Sequence, residues 1–237
     1  MKKTFFTISI IAVFLMFTFF KPKTKNTAPT FDDSKPLVEN PENSLFWGDT
    51  HLHTTNSPDA YAYSNRLGFE EAYRFAKGES VMVNGHKVQL ETPLDFLVIA
   101  DHDEGFGIIP ELAKYNPAFQ SDPILVRWSK MLNGTDAEAE LAGKEMPIAL
   151  EEGTLPKILL DPKVMGPIMT SIWQNYLNIA DRYNEPGKFT ALTGFEWSST
   201  PNGSNQHRVV VFKDNQDKTS KTLPYSALQS TNPEDLW

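Results

Sequence analysis

The 237-residue chain contains no cysteine. That excludes disulfides, thiolate metal sites and cysteine-linked lipid anchors, and leaves histidine and carboxylates as the strong metal ligands. Positive charge is in the minority, with 22 Lys and Arg against 30 Asp and Glu and a net charge of −8. No basic patch stands out, and proteins that bind polyanions present one, so nucleic acid is not expected as a partner. Histidine is scarce, five in all, and none follows position 207. There is no internal repeat, and the one long apolar run lies at the start of the chain.

That run extends from Phe5 to Phe20, broken by Thr7, Ser9 and Thr18, and follows Lys2 and Lys3. The pattern is that of an export signal over residues 1–20, either cleaved or retained as a membrane anchor through residues 4–20. Thr18-Phe19-Phe20 is a poor small-residue cleavage site. The rest of the chain is then expected outside the cytoplasm, periplasmic or membrane-anchored. Residues 21–44 carry Pro22, Pro29, Pro36 and Pro41 with little apolar content and read as a linker. The folded domain is expected over 45–237.

Residues 45–54 predict a first strand, and Phe69 to Lys77 a helix stopped by Gly78. Val81 to Leu90 reads as a hairpin turned at Asn84-Gly85. Asp95 to Ala100 is a continuous apolar run of the kind found in a strand covered on both faces, as in an α/β fold. Residues 105–188 read as mostly helical and far longer than a simple crossover; insertions of this kind often shape an active site. Their clearest helix follows Asp161-Pro162, with Ile168, Ile172, Tyr176, Ile179, Ala180 and Tyr183 as a core stripe. Phe189 to Trp197 and His207 to Phe212 are strands, and the segment between them suits a hairpin, which would bring Glu196 and His207 to one rim.

The chemistry lies at the strand ends. His51 and His53 alternate along a strand and so point to the same side. A sheet rarely holds two adjacent imidazoles unless something partners their ring nitrogens, and a metal ion does. Asp59 follows just beyond, His102 ends the second core strand, and Glu196 faces His207 across a turn. Four of the five histidines belong to this set. The fifth, His86, lies in the Asn-Gly hairpin and is expected to face solvent. Arg66 and Arg208 are read as surface charges rather than phosphate clamps.

In this order the segments resemble the polymerase and histidinol phosphatase (PHP) superfamily, and more closely its DUF3604 family. The resemblance rests on Gly48-Asp49-Thr50-His51-Leu52-His53-Thr54 with Ser57-Pro58-Asp59-Ala60, and on Pro93 to His102. It continues in Thr193-Gly194-Phe195-Glu196-Trp197 and Asn205-Gln206-His207-Arg208, covering roughly residues 44–213. It implies an α/β fold, a distorted (β/α)7 barrel with two or three divalent ions (zinc, manganese or iron) at one mouth, and hydrolysis of a small-molecule phosphoester. Carried across, His51, His53, Asp59, His102, Glu196 and His207 would be metal ligands. Asp49, Asp101 and Glu104 would orient imidazoles or take up protons. Paired ions of this kind polarise a phosphoryl oxygen and acidify a water, so no Ser or Cys nucleophile is required.

The chain departs from the superfamily in lacking the later His and Asp-x-His ligands. Four main strands and a small hairpin would also leave a seven-stranded barrel unclosed, so the expected fold is an incomplete barrel with a long helical insertion, truncated at the C-terminal side. A missing C-terminal half is then an expected partner. Two other readings stand beside the hydrolase: a metal-dependent amidohydrolase-like enzyme, and a non-catalytic or inactive fragment whose ligands persist.

Overall fold

Alternating apolar residues on short strands, joined by long amphipathic helices, build a mixed α/β structure. The structure, a computed structural model, describes residues 45–201 and 204–236. The export signal and linker expected over 1–44 lie outside these residues. Among the described residues no helix is long and apolar enough to cross a membrane.

Strands β1 (Gly48–Leu52), β4 (Phe96–Ile99), β5 (Thr190–Ser199) and β6 (Gln206–Phe212) form one sheet in the order β1-β4-β5-β6. The first three are parallel, and β6 returns antiparallel to β5 with Ser198 opposite His207. The sheet curls into a half-barrel. Among the described residues it has four strands and does not close. The short hairpin of β2 (Val81–Val83) and β3 (His86–Val88) stands apart from it. Its turn is Asn84-Gly85, both with positive φ, the conformation that twists a two-residue turn to match its strands. His86 is exposed there, as expected.

Helices α2 (Phe69–Ala76) and α6 (Pro162–Tyr183) cover one face of the sheet. Leu97, Ile99, Phe195 and Trp197 from the strands meet Phe69, Tyr73, Trp173 and Tyr176 from the helices in a buried aromatic core. Asp161 caps α6 with its carboxylate on the Lys163 N–H, and Pro162 opens the first turn where its missing N–H costs nothing. Because strand side chains alternate, Glu196, Ser198 and His207 point to the opposite, open face.

The insertion between β4 and β5 has a core of its own. Helices α3 (Ile108–Ala113), α4 (Pro123–Leu132) and α5 (Asp136–Glu151) bury Ile109, Leu112, Phe119, Leu125 and Trp128 around Tyr61 of α1 (Pro58–Ala62). Gly143 of α5 lies where a Cβ would come 3.1 Å from the Ala62 Cβ, a close approach that locks α5 against α1. The insertion thus braces the short helix that carries Asp59.

Candidate metal centre

Of the expected ligands, His51, His53, His102 and His207 stand at or just beyond strand ends of the half-barrel, Glu196 lies within β5, and Asp59 is on α1. Leu52 of β1 packs towards the helical face, so its neighbours His51 and His53 turn to the other, with ring centroids 5.0 Å apart. His102 follows β4 and forms an isolated parallel bridge with Glu196, which carries the β4–β5 pairing three residues past Ile99. His207 opens β6. The His102 ring is 4.9 Å from that of His53 and 5.4 Å from that of His207. All six residues, His51, His53, Asp59, His102, Glu196 and His207, line one open cleft of about 550 Å³.

Glu196 is the hub, with its side chain only 1% exposed. Its Oε2 lies 2.9 Å from both His51 Nε2 and His53 Nε2 and 3.4 Å from His102 Nε2, while Oε1 is 2.5 Å from His207 Nδ1. Despite these short distances Oε2 makes no well-directed hydrogen bond among the described residues. A buried carboxylate oxygen is costly in that state. A divalent cation among the same atoms would satisfy it, and imidazole with carboxylate is a donor set that borderline metals accept. Three overlapping groups could hold an ion: His51, His53 and Glu196; His53, Asp59 and His102; and His102, Glu196 and His207.

The electrostatics follow from this crowding. Burial works against charging His53, but the carboxylates of Asp59 and Glu196 outweigh it and carry its pKa up to about 10. Burial likewise opposes ionisation of Glu196, yet His53 and His51 bring it down to about 2. Asp59 is held well below the usual carboxylate range, since the His53 and Ser57 contacts overcome its burial. His102 is lowered, chiefly by burial, which the carboxylates of Glu196 and Asp59 only partly offset.

Asp59 reaches His53 Nδ1 with both oxygens, at 3.0 and 2.9 Å, and stands 3.7 Å from His102 Nε2. In this arrangement it orients the His53 ring so that Nε2 faces Glu196. Asp49 accepts from the His51 backbone N–H at 2.7 Å. Asp101, fully buried, accepts from the Thr54 N–H and, at 2.6 Å, from its hydroxyl; burial raises its pKa to about 7. These two acids therefore fix the backbone of the His-x-His segment rather than touching a ring. Glu104 lies 3.9 Å from His102 Nδ1, beyond hydrogen-bond reach, and burial followed by the Asp103 charge pushes its carboxyl well up. Arg66 stacks on Tyr61 at 3.5 Å and donates to its carbonyl, and Arg208 donates to the His207 carbonyl. Neither Arg66 nor Arg208 lines the cleft.

Two hydroxyls escape the sequence reading. Ser57, fully buried, contacts His53 Nδ1 at 3.2 Å and Asp59 Oδ1 at 2.5 Å, and accepts from the His102 N–H at 3.2 Å. Ser198 contacts His102 Nδ1 at 2.7 Å and His207 Nδ1 at 3.0 Å. The signal for Ser198 was its spacing: two residues beyond Glu196 on a strand lies on the same face. Ser57 had no comparable signal.

A family model described as "Protein of unknown function (DUF3604)" matches residues 40–237. No curated protein and no solved structure matches the chain.

Proposed function

The chain belongs to the DUF3604 family, and on that premise we propose that it is an exported metal-dependent hydrolase of the PHP type that cleaves phosphoesters. The observation that carries the reading is the convergence of four imidazoles on one buried carboxylate, one of whose oxygens lacks a partner among the described residues, at the open rim of a half-barrel. Glu196 offers two oxygens on different sides, Oε2 towards His51 and His53 and Oε1 towards His207. His51, His53 and Glu196 would hold one divalent ion, and His102, Glu196 and His207 a second. His53 and His102 are committed to these two groups, so Asp59 serves His53 as its orienting partner.

Bound there, the ions would polarise a phosphoryl oxygen and lower the pKa of a water. The protein supplies the fixed frame. Asp59 and Ser57 hold the His53 ring, and Asp49 and Asp101 hold the backbone that presents His51 and His53. Among the described residues the cleft is open to solvent. Export rests on residues 1–20 alone.

One observation favours a second reading, a chain that holds metal without turning over. His51, Asp59 and His207 are 44%, 42% and 39% exposed, and an open site excludes little water. Metal analysis and a phosphoesterase screen separate the two. The purified chain is expected to hold divalent ions and to hydrolyse p-nitrophenyl phosphate or its diester, with His51→Ala and Glu196→Ala each lowering the rate roughly hundredfold or more. Bound metal without hydrolysis supports the second reading. Hydrolysis indifferent to both substitutions removes the site assignment.

A further inference from the structure

Ser198 is buried, and its single hydroxyl meets a ring nitrogen on each of two different strand ends. We propose that Ser198 is the positioning residue of the His102–Glu196–His207 group, its one hydroxyl holding the Nδ1 edges of both imidazoles; the inference rests on the metal-centre reading above.

The argument is one of donors and acceptors. A hydroxyl has one proton to give and lone pairs to receive with. Of the two Nδ1 atoms facing it, at most one can present a lone pair to that proton, and the other must bring its own N–H. Glu196 decides which. Its Oε1 is 2.5 Å from His207 Nδ1, and negative charge that close favours a proton on this nitrogen over a bare lone pair. In the metal-free chain His207 therefore carries its proton on Nδ1 and directs it to Ser198 Oγ. The Ser198 hydroxyl in turn donates to His102 Nδ1 at 2.7 Å. That leaves the proton of neutral His102 on Nε2, facing Glu196 Oε2 at 3.4 Å.

Ligation by His102 through Nε2 requires that proton to leave. The ring stays neutral if that one proton moves by way of solvent from Nε2 to Nδ1, provided the atom opposite can accept it. Rotation of the Ser198 hydroxyl turns Oγ from donor to acceptor without moving a heavy atom. Alanine can do neither, while threonine keeps the hydroxyl and suits a strand.

Ring-nitrogen NMR of the metal-free chain tests the first half. His102 is expected with Nδ1 unprotonated and His207 with Nδ1 protonated; the reverse pattern overturns the assignment. Calorimetric titration with Zn²⁺ tests the second. Wild type is expected to take up two ions. Ser198→Ala is expected to keep the first at wild-type affinity and to bind the second ten- to a hundredfold more weakly, and Ser198→Thr to restore it. Unchanged binding of both ions by Ser198→Ala, or a Ser198→Thr chain as weak as Ser198→Ala, overturns the proposal and leaves the metal centre standing. A wild-type chain that takes up no Zn²⁺ overturns the metal centre and this proposal with it.

Discussion

Glu196 and His53 are the two residues whose chemistry depends most on each other. Glu196 is ionised because imidazoles surround it, and His53 holds a proton up to about pH 10 because Glu196 and Asp59 outweigh its burial. Glu196→Gln keeps the size of the side chain and removes its charge and one acceptor oxygen. The metal content measured by mass spectrometry is expected to fall from two ions per chain to less than one, with the far-ultraviolet circular dichroism unchanged. Full metal content in this variant would contradict the bridging role. The His53 shift has its own consequence. Ligation needs the neutral ring, so below pH 10 an incoming ion must displace a proton. Apparent Zn²⁺ affinity is expected to rise with pH, about tenfold per unit for one displaced proton, and to level off above pH 10. Calorimetry in buffers of different ionisation enthalpy measures the release, and an affinity flat between pH 6 and pH 9 would refute it. In the metal-free fold the trend has the opposite sign. The folded pKa lies above the ordinary 6.5, so the His53 contribution is complete below 6.5 and is lost as pH rises through 10.

The elements meet at a seam between β4 and β5, and Tyr176 of α6 fills it. Its buried hydroxyl donates to the Ile99 carbonyl at 2.8 Å and accepts from the Gly194 N–H at 3.1 Å. Beyond this point the ladder resumes, with the Glu196 N–H on the Asp101 carbonyl and the Asp103 N–H on the Glu196 carbonyl. Tyr176→Phe would leave both backbone groups buried and unpaired, a loss of about 1–3 kcal/mol. Urea denaturation is expected to show it, with a weakened Zn²⁺ affinity because the seam sets the spacing of His102 and Glu196. A variant as stable as wild type would show that water replaces the hydroxyl. Tyr176 also marks where the sequence stops being legible. Its helical spacing placed it in the core, as found, just as the period of two placed His51 with His53 and the short loop before His207 placed that ring beside Glu196. Asn84-Gly85 and Asp161-Pro162 were readable for the same reason: each is a local conformational preference written in adjacent residues. The hydroxyls of Tyr176, Ser198 and Ser57 act across the chain, on partners fixed by strand register and helix placement. A serine beside a strand carries no mark of what stands opposite. The separate core under α1 was equally hidden, because helical periodicity says which face is buried and not against what.

At the scale of the whole molecule, the sheet core and the helical core differ in what a bound ion would do for them. Apart from Asp59 the ligands lie in or just after β1, β4, β5 and β6, so two ions together would join all four strands of the open half-barrel. Residues from 51 to 207 are far apart in the unfolded chain, which has no formed site, so binding energy adds to folding stability. At a free Zn²⁺ concentration a hundredfold above Kd the gain is about 2.7 kcal/mol per ion. For a domain of this size that corresponds to roughly 5–10 °C in Tm, and a chelator should reverse it. The edges of the sheet sharpen the expectation. Leu45, Phe46 and Trp47 beside β1 are 72%, 67% and 68% exposed, and among the described residues β1 has a neighbour on one side only, so the edge strand is held by few contacts. Local opening should begin there in the metal-free chain. Amide hydrogen exchange with and without Zn²⁺ is expected to show the largest gain in protection at β1 and at the β5–β6 loop end, and little change in α3, α4 and α5. A gain confined to those helices would mean that the ion binds elsewhere, and the strand-end centre would have to be given up.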